Sequence, residues 1–194
     1  MINVFIDGKE GTTGLQIFER LGKRDDIRIS SLPEKLRKDL NARKEQINAA
    51  DIVFLCLPDA AARESVSLCE NKQVKIIDAS TAHRTDPSWA YGFPELSEEH
   101  RKKIAVSRRV AVPGCHASGF ISLVYPLVAG GIVSPDYPFV CHSVTGYSGG
   151  GKKMIAEYEA DGRDGALDSP RQYGTSQMHK HLPEMKAVCG VQCE

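Results

Sequence analysis

Cys115 sits between a short branched run, Val110-Ala111-Val112, and a segment with helical spacing that opens His116-Ala117-Ser118-Gly119. Pro113-Gly114 turns the chain between them. A thiol at a helix start faces backbone N–H groups without helical partners and the positive end of the dipole, a setting that favours the thiolate. Cys115 is therefore the candidate nucleophile. A thiolate nucleophile calls for an acid–base partner, for which His83, His116, His142, His179 and His181 are candidates. The densest polar cluster is His179-Lys180-His181-Leu182-Pro183-Glu184. Its His-x-His pair and carboxylate have no second cysteine or histidine group at the spacing of a standard zinc site, so no metal is expected.

A second chemistry-bearing cluster is Gly8-x-x-Gly11-x-x-Gly14, directly after the apolar run Ile2–Ile6 and before Leu15, Ile17, Phe18 and Leu21. Strand, glycine turn and helix is the order that brings backbone N–H groups and a helix N-terminus to a pyrophosphate, and Thr12 and Thr13 add hydroxyl donors. The place that holds a carboxylate in NAD-preferring folds, the end of the second strand, carries Ser30-Ser31, followed by Lys35, Arg37 and Lys38. Small hydroxyls beside cations suit a 2′-phosphate, so the expected cofactor is NADP. A plain solvated helix face is the competing reading of those cations.

The elements that must hold these groups follow from periodicity. Strands are expected at 2–6, 26–30, 51–57 (ended by Pro58), 74–78 and 110–112, with helices at about 15–21, 35–48, 60–71 and 117–128. Continuous apolar strands alternating with helices mean an α/β fold, a doubly wound, Rossmann-like parallel sheet covered on both faces. Residues 80–97 lack a period and read as a long functional loop. After Pro138, Phe139–Thr145 alternates like a half-buried strand and runs into the glycine-rich stretch 146–151. That change of strand pattern places a domain boundary near residue 115.

Composition narrows the classes. The 194 residues carry 25 basic and 25 acidic side chains, so no charge bias points to nucleic acid or an acidic membrane surface. Hydrophobic residues are 41% and charged residues 26%, a globular mixture. No apolar run approaches the roughly 18 residues of a membrane span, and Met1 leads straight into the first strand, so a cytoplasmic protein is expected. The six cysteines form no CxxC pair; Cys56 and Cys141 sit in apolar runs and read as small buried hydrophobes.

Six ordered segments resemble one family: Asp7–Gly14, Ile77–Arg84, Tyr91–Leu96, Val112–Cys115, Ser148–Lys153 and His179–Glu184. Together they are similar to the shorter type of N-acetyl-gamma-glutamyl-phosphate reductase. The resemblance implies a nucleotide-binding domain at 1–114 and, at 115–194, part of an α+β substrate and dimerisation domain. It implies NADPH-dependent conversion of N-acetyl-L-glutamyl 5-phosphate to the 5-semialdehyde in arginine biosynthesis, by a thioester on Cys115. His181, or else His179, is the implied acid–base group, with Glu184 orienting it. Cofactor contacts are implied at Gly8, Gly11, Thr12, Thr13, Gly14, Ser30, Pro58, Ser80, Gly149 and Gly150, and substrate contacts at Arg84, Lys152 and Glu184. Members of the family are longer, so the chain reads as C-terminally truncated: a homo-oligomer if full length, and a weak or inactive reductase alone. The alternatives are a nucleotide-binding or subunit-interaction fragment, an aspartate-semialdehyde dehydrogenase, and a thiol redox sensor.

Overall fold

The computed structural model describes residues 1–9 and 12–192. The chain divides into two compact units, Met1–Gly114 and Cys115–Glu194.

In the first unit, β1 (Ile2–Asp7), α1 (Thr12–Leu21), β2 (Ile27–Ser30), α2 (Leu40–Ala49), β3 (Ile52–Leu55), α3 (Asp59–Leu68), β4 (Lys75–Asp78), β5 (Ala90–Tyr91), α4 (Glu98–Val106) and β6 (Arg109–Ala111) follow in order. The strands form one sheet in the order β2-β1-β3-β4-β6-β5, every neighbouring pair parallel. Burial on both faces explains the continuous apolar runs: Phe5, Val53, Leu55 and Ile76 join Ile47 of α2, Ala62 of α3 and Trp89 in the core. Each such large side chain contributes about 2 kcal/mol by leaving water.

The chain runs from β1 outward to β2, then crosses back to lay β3 on the other side of β1. Such a reversal leaves a crevice at the carboxyl ends of β1 and β3, where ligands of open α/β sheets bind. Two glycines close the turn there. Gly8 has φ +89°, and a Cβ on it would lie 2.4 Å from the Cys56 carbonyl oxygen. A Cβ on Gly14 would lie 2.5 Å from the Gly8 oxygen, so α1 presses on the turn that precedes it.

The structure departs from the periodicity in four places. The expected helix 35–48 is a 3-10 turn at Glu34–Leu36 followed by α2, because the Asp39 carboxylate accepts the Ala42 N–H at 2.8 Å and starts a new helix. The loop 80–97 contains the two-residue edge strand β5, paired with β6. Helix α4 is polar, with no buried residue, and begins where the Ser97 hydroxyl accepts the His100 N–H. The largest departure lies in the second unit. Residues 139–145 form no strand, and Val140 and Val144 are exposed, because a strand needs a ladder and the described residues of this unit contain none.

That unit consists of α5 (Cys115–Ala129), α6 (Gly151–Glu159) and α7 (Leu182–Cys189), with 3-10 turns at Tyr147–Gly150 and Gly165–Asp168. Helices α5 and α7 lie against each other, with Ala117, Ile121 and Val124 of one and Met185 and Cys189 of the other buried. Replacing Gly8 with alanine combines a strained φ with a backbone collision. Gly8→Ala is expected to lower stability by at least about 2 kcal/mol. An unchanged urea midpoint would show that the turn relaxes freely.

Candidate active site

At the carboxyl edge of the first unit's sheet, two buried carboxylates hold the loops. Asp7, last in β1, accepts from Arg43 Nε at 3.2 Å and from Ser65 Oγ at 2.8 Å. Arg43 is 5% exposed and also pairs with Glu64, so α2 and α3 are tied to the strand end beside the glycine turn. Removing Arg43 would leave the buried Asp7 charge without its ion-pair partner, a loss of about 3–5 kcal/mol.

Asp78, last in β4 and fully buried, accepts from Ser80 N–H at 2.9 Å and Ser80 Oγ at 2.7 Å, and lies 2.6 Å from His83 Nδ1. The His83 ring stacks on Trp89 at 4.1 Å. The Asp78 carbonyl accepts the Val112 N–H at 2.8 Å. From the same loop, Arg84 donates through Nε to the Val112 oxygen at 2.9 Å and through Nη2 to the Ala79 oxygen at 3.0 Å. The loop after β4 therefore grips the last residues of the first unit before Cys115.

The structure gathers Gly8, Gly14, Ser30, Pro58 and Ser80 at this one edge of the sheet, where the strands end. Ser30 Oγ lies 3.5 Å from the Val4 carbonyl, and Pro58 caps α3. The Ser80 hydroxyl is engaged internally with Asp78 and Ala82. Thr13 is exposed in the first turn of α1. Gly11 and the Thr12 side chain lie outside the described residues. The tight glycine turn, with no room for a Cβ at Gly8 or Gly14, fits a dinucleotide pyrophosphate approaching the first turn of α1.

In the second unit Cys115 is exposed and is the first residue of α5, two residues earlier than the expected start. His116 follows it, so their Cα atoms lie about 3.8 Å apart. The His116 ring meets His179 edge-on at 5.5 Å, His181 at 5.9 Å and Tyr173 at 6.2 Å. His116 Nδ1 lies 2.6 Å from Ser143 Oγ. His179 and His181 meet edge to face at 4.5 Å, and Glu184 is buried in the first turn of α7. Cys115, His179, His181 and Glu184 are thus gathered where α5 and α7 begin, and both helix dipoles present their positive ends there. Gly149 and Gly150 close the 3-10 turn before α6, and Lys152 is exposed on α6.

Residues missed in the sequence are the organisers. His116 was one histidine among several, although it adjoins Cys115. Asp78 carried no local signal beyond its place at the end of a strand, and Tyr173 none beyond its place in a loop. Among the described residues, no group of three histidine, cysteine or acidic side chains is arranged to hold a metal.

Residues 22–104 match the family described as semialdehyde dehydrogenase, NAD binding domain, and residues 115–193 match semialdehyde dehydrogenase, dimerisation domain. The fold agrees. The aspartate semialdehyde dehydrogenase II of Vibrio cholerae superposes with a TM-score of 0.60 at 16% identity, over 98% of this chain and 67% of that one. The Francisella tularensis aspartate semialdehyde dehydrogenase gives 0.58 at 19% identity, over 81% and 48%. Fold and site define a protein of the semialdehyde dehydrogenase class with a nicotinamide-nucleotide domain.

Sequence relatives are more specific. The chain is 54% identical over 183 residues to the N-acetyl-gamma-glutamyl-phosphate reductase of Chelativorans sp., covering 94% of this chain and 58% of the relative. It is 51% identical over 190 residues to N-acetyl-gamma-glutamyl-phosphate reductase 2 of Pseudomonas putida, covering 97% and 60%. The chain belongs to the N-acetyl-gamma-glutamyl-phosphate reductase family and spans 58–60% of the length of these relatives.

Thiol environments differ sharply. Burial, with Asp78 and Asp7 nearby, pushes the Cys56 thiol up to about 12, and burial pushes Cys189 up to about 11. Cys115 is exposed. Iodoacetamide at pH 8 is therefore expected to label Cys115 while sparing Cys56 and Cys189 in the folded chain. Peptide mapping checks this, and labelling of Cys56 as fast as Cys115 would contradict it.

Proposed function

We propose that the chain carries the cofactor-binding and nucleophile-bearing part of an NADPH-dependent reductase that converts N-acetyl-L-glutamyl 5-phosphate to N-acetyl-L-glutamate 5-semialdehyde and phosphate, in arginine biosynthesis. The supporting observation is Cys115 exposed at the first position of α5, beside an imidazole cluster drawn together from three points in the sequence. Relatives at 50–54% identity that bear the reductase name supply the substrate.

The Cys115 thiolate attacks the acyl carbon. A C–S bond forms, the C–O bond to phosphate breaks, and phosphate departs with the electron pair, leaving a thioester on Sγ. When bound, the reduced nicotinamide supplies the hydride that brings the acyl carbon to the aldehyde level. The imidazole pair His179/His181 handles the proton, giving it to the carbonyl oxygen as that carbon is reduced. It takes the proton back as the C–S bond breaks and the thiolate is restored.

Gly8, Gly11, Thr12, Thr13, Gly14, Pro58 and Ser80 would hold the dinucleotide at the crevice, and the family resemblance adds Gly149 and Gly150 as cofactor contacts. Ser30, standing where an NAD-preferring fold has a carboxylate, supports NADP over NAD. Lys152 and Arg84 are the cations for the substrate phosphate. Arg84's bonds to the Ala79 and Val112 carbonyls give it a bracing task as well. The second unit would pair with another copy, as the dimerisation-domain match suggests, in a cytoplasmic enzyme.

The first half-reaction tests this reading without needing turnover. Mixing the chain with N-acetylglutamyl phosphate is expected to release a burst of about one phosphate per Cys115. The burst should be lost in Cys115→Ser and be smaller with aspartyl phosphate. A burst that survives Cys115→Ser, or a larger one with aspartyl phosphate, would overturn the assignment.

A further inference from the structure

His179 and His181 stand two residues apart at the head of α7, and their bonding separates their roles. His181 N–H donates to His179 Nδ1 at 3.2 Å. The His179 carbonyl accepts the Leu182 N–H at 2.9 Å. His179 therefore satisfies two backbone donors at the start of α7, its ring acting much as an asparagine side chain does in an Asx-turn.

The ring's other nitrogen, Nε2, lies 3.4 Å from the Tyr173 hydroxyl. A neutral imidazole has one donor and one acceptor nitrogen. Since Nδ1 accepts from a backbone N–H, the proton belongs on Nε2, which donates to the Tyr173 oxygen. A second proton on Nδ1 would point N–H at N–H and break the bond to His181.

The surroundings act in the same direction. The charged and titratable groups facing His179 are His116 of α5, Tyr173 of the preceding segment, and Lys180 and His181 at the entry to α7. Desolvation, then the positive charges of His116 and Lys180, hold its imidazole below the ordinary histidine value.

We propose that His179 is a positioning residue, fixed as the neutral Nε2–H tautomer, whose ring holds the backbone of His181, the residue from which α7 begins. The acid–base task then falls to His181. This rests on the reductase reading for its catalytic meaning, but the assignment itself concerns a tautomer and a hydrogen bond.

The test uses the whole chain and no substrate. Nitrogen-15 spectra of the histidine rings are expected to show neutral His179 with Nδ1 unprotonated and Nε2 protonated, and its ring gaining a second proton only below the ordinary histidine range. Substitution supplies the second readout. The amide oxygen of His179→Asn falls where Nδ1 stood, whereas the longer His179→Gln places its polar atoms near Nε2. Hydrogen exchange of the His181 amide is expected within about threefold of the parent in His179→Asn and at least about tenfold faster in His179→Gln. Nδ1 protonated and Nε2 bare in the neutral ring at pH 8, or His181 exchange as fast in His179→Asn as in His179→Gln, would overturn the proposal. A chain inert toward N-acetylglutamyl phosphate would sink the proposed reaction and leave this assignment standing.

Discussion

The side-by-side packing of α5 and α7 is the constraint on which the second unit's chemistry depends. Cys115 and His181 are far apart in sequence, and each stands at the beginning of its helix. The helices run alongside each other with their N-termini at the same end, as the His116–His181 ring contact shows. One arrangement therefore brings the proposed nucleophile, three imidazoles and two positive dipole ends together. Small and branched residues, Ala117, Ile121 and Val124, form the buried stripe of α5, while Leu123 and Leu127 lie exposed on it. Substitution in that stripe would disturb the site without touching a reacting atom.

The first unit solves a different problem, holding irregular loops at fixed positions around a cofactor crevice. Loops carry backbone groups that a sheet ladder does not satisfy, so each needs its own partners. Asp7 and Asp78 provide them from the ends of β1 and β4, one through Arg43 and Ser65, the other through Ser80 and His83. Both carboxylates are buried and bonded at every turn, the condition under which charge at the end of a strand stabilises rather than penalises. Arg84 extends the second anchor to Val112, three residues before Cys115.

The sheet was legible because burial on both faces leaves an unbroken mark: Val4–Ile6, Ile52–Leu55 and Ile76–Ile77 are apolar runs with turn residues after them. The glycine turn was legible because its neighbours were a strand and a helix. β5 was not, since two residues become a strand only through β6 beside them. Helix α4 buries no residue, so its periodicity is faint, and only Ser97 with Glu98 and Glu99 marked its start. Alternation at 139–145 misled because it records the faces of a strand without saying whether a partner strand exists. The place of Cys115 at a helix start was legible from the Pro113-Gly114 turn and the helical spacing after it. The proposed division of labour between His179 and His181 was not, because it lies in which ring nitrogen meets a backbone N–H.

The central claim is that Cys115 takes the acyl group from an acyl phosphate. Intact mass and peptide mapping of the chain after brief exposure to N-acetylglutamyl phosphate address it directly. The account predicts one N-acetylglutamyl group, carried on the peptide containing Cys115 and discharged by hydroxylamine as a thioester is. An acyl group found on another residue, with Cys115 unmodified, would contradict it.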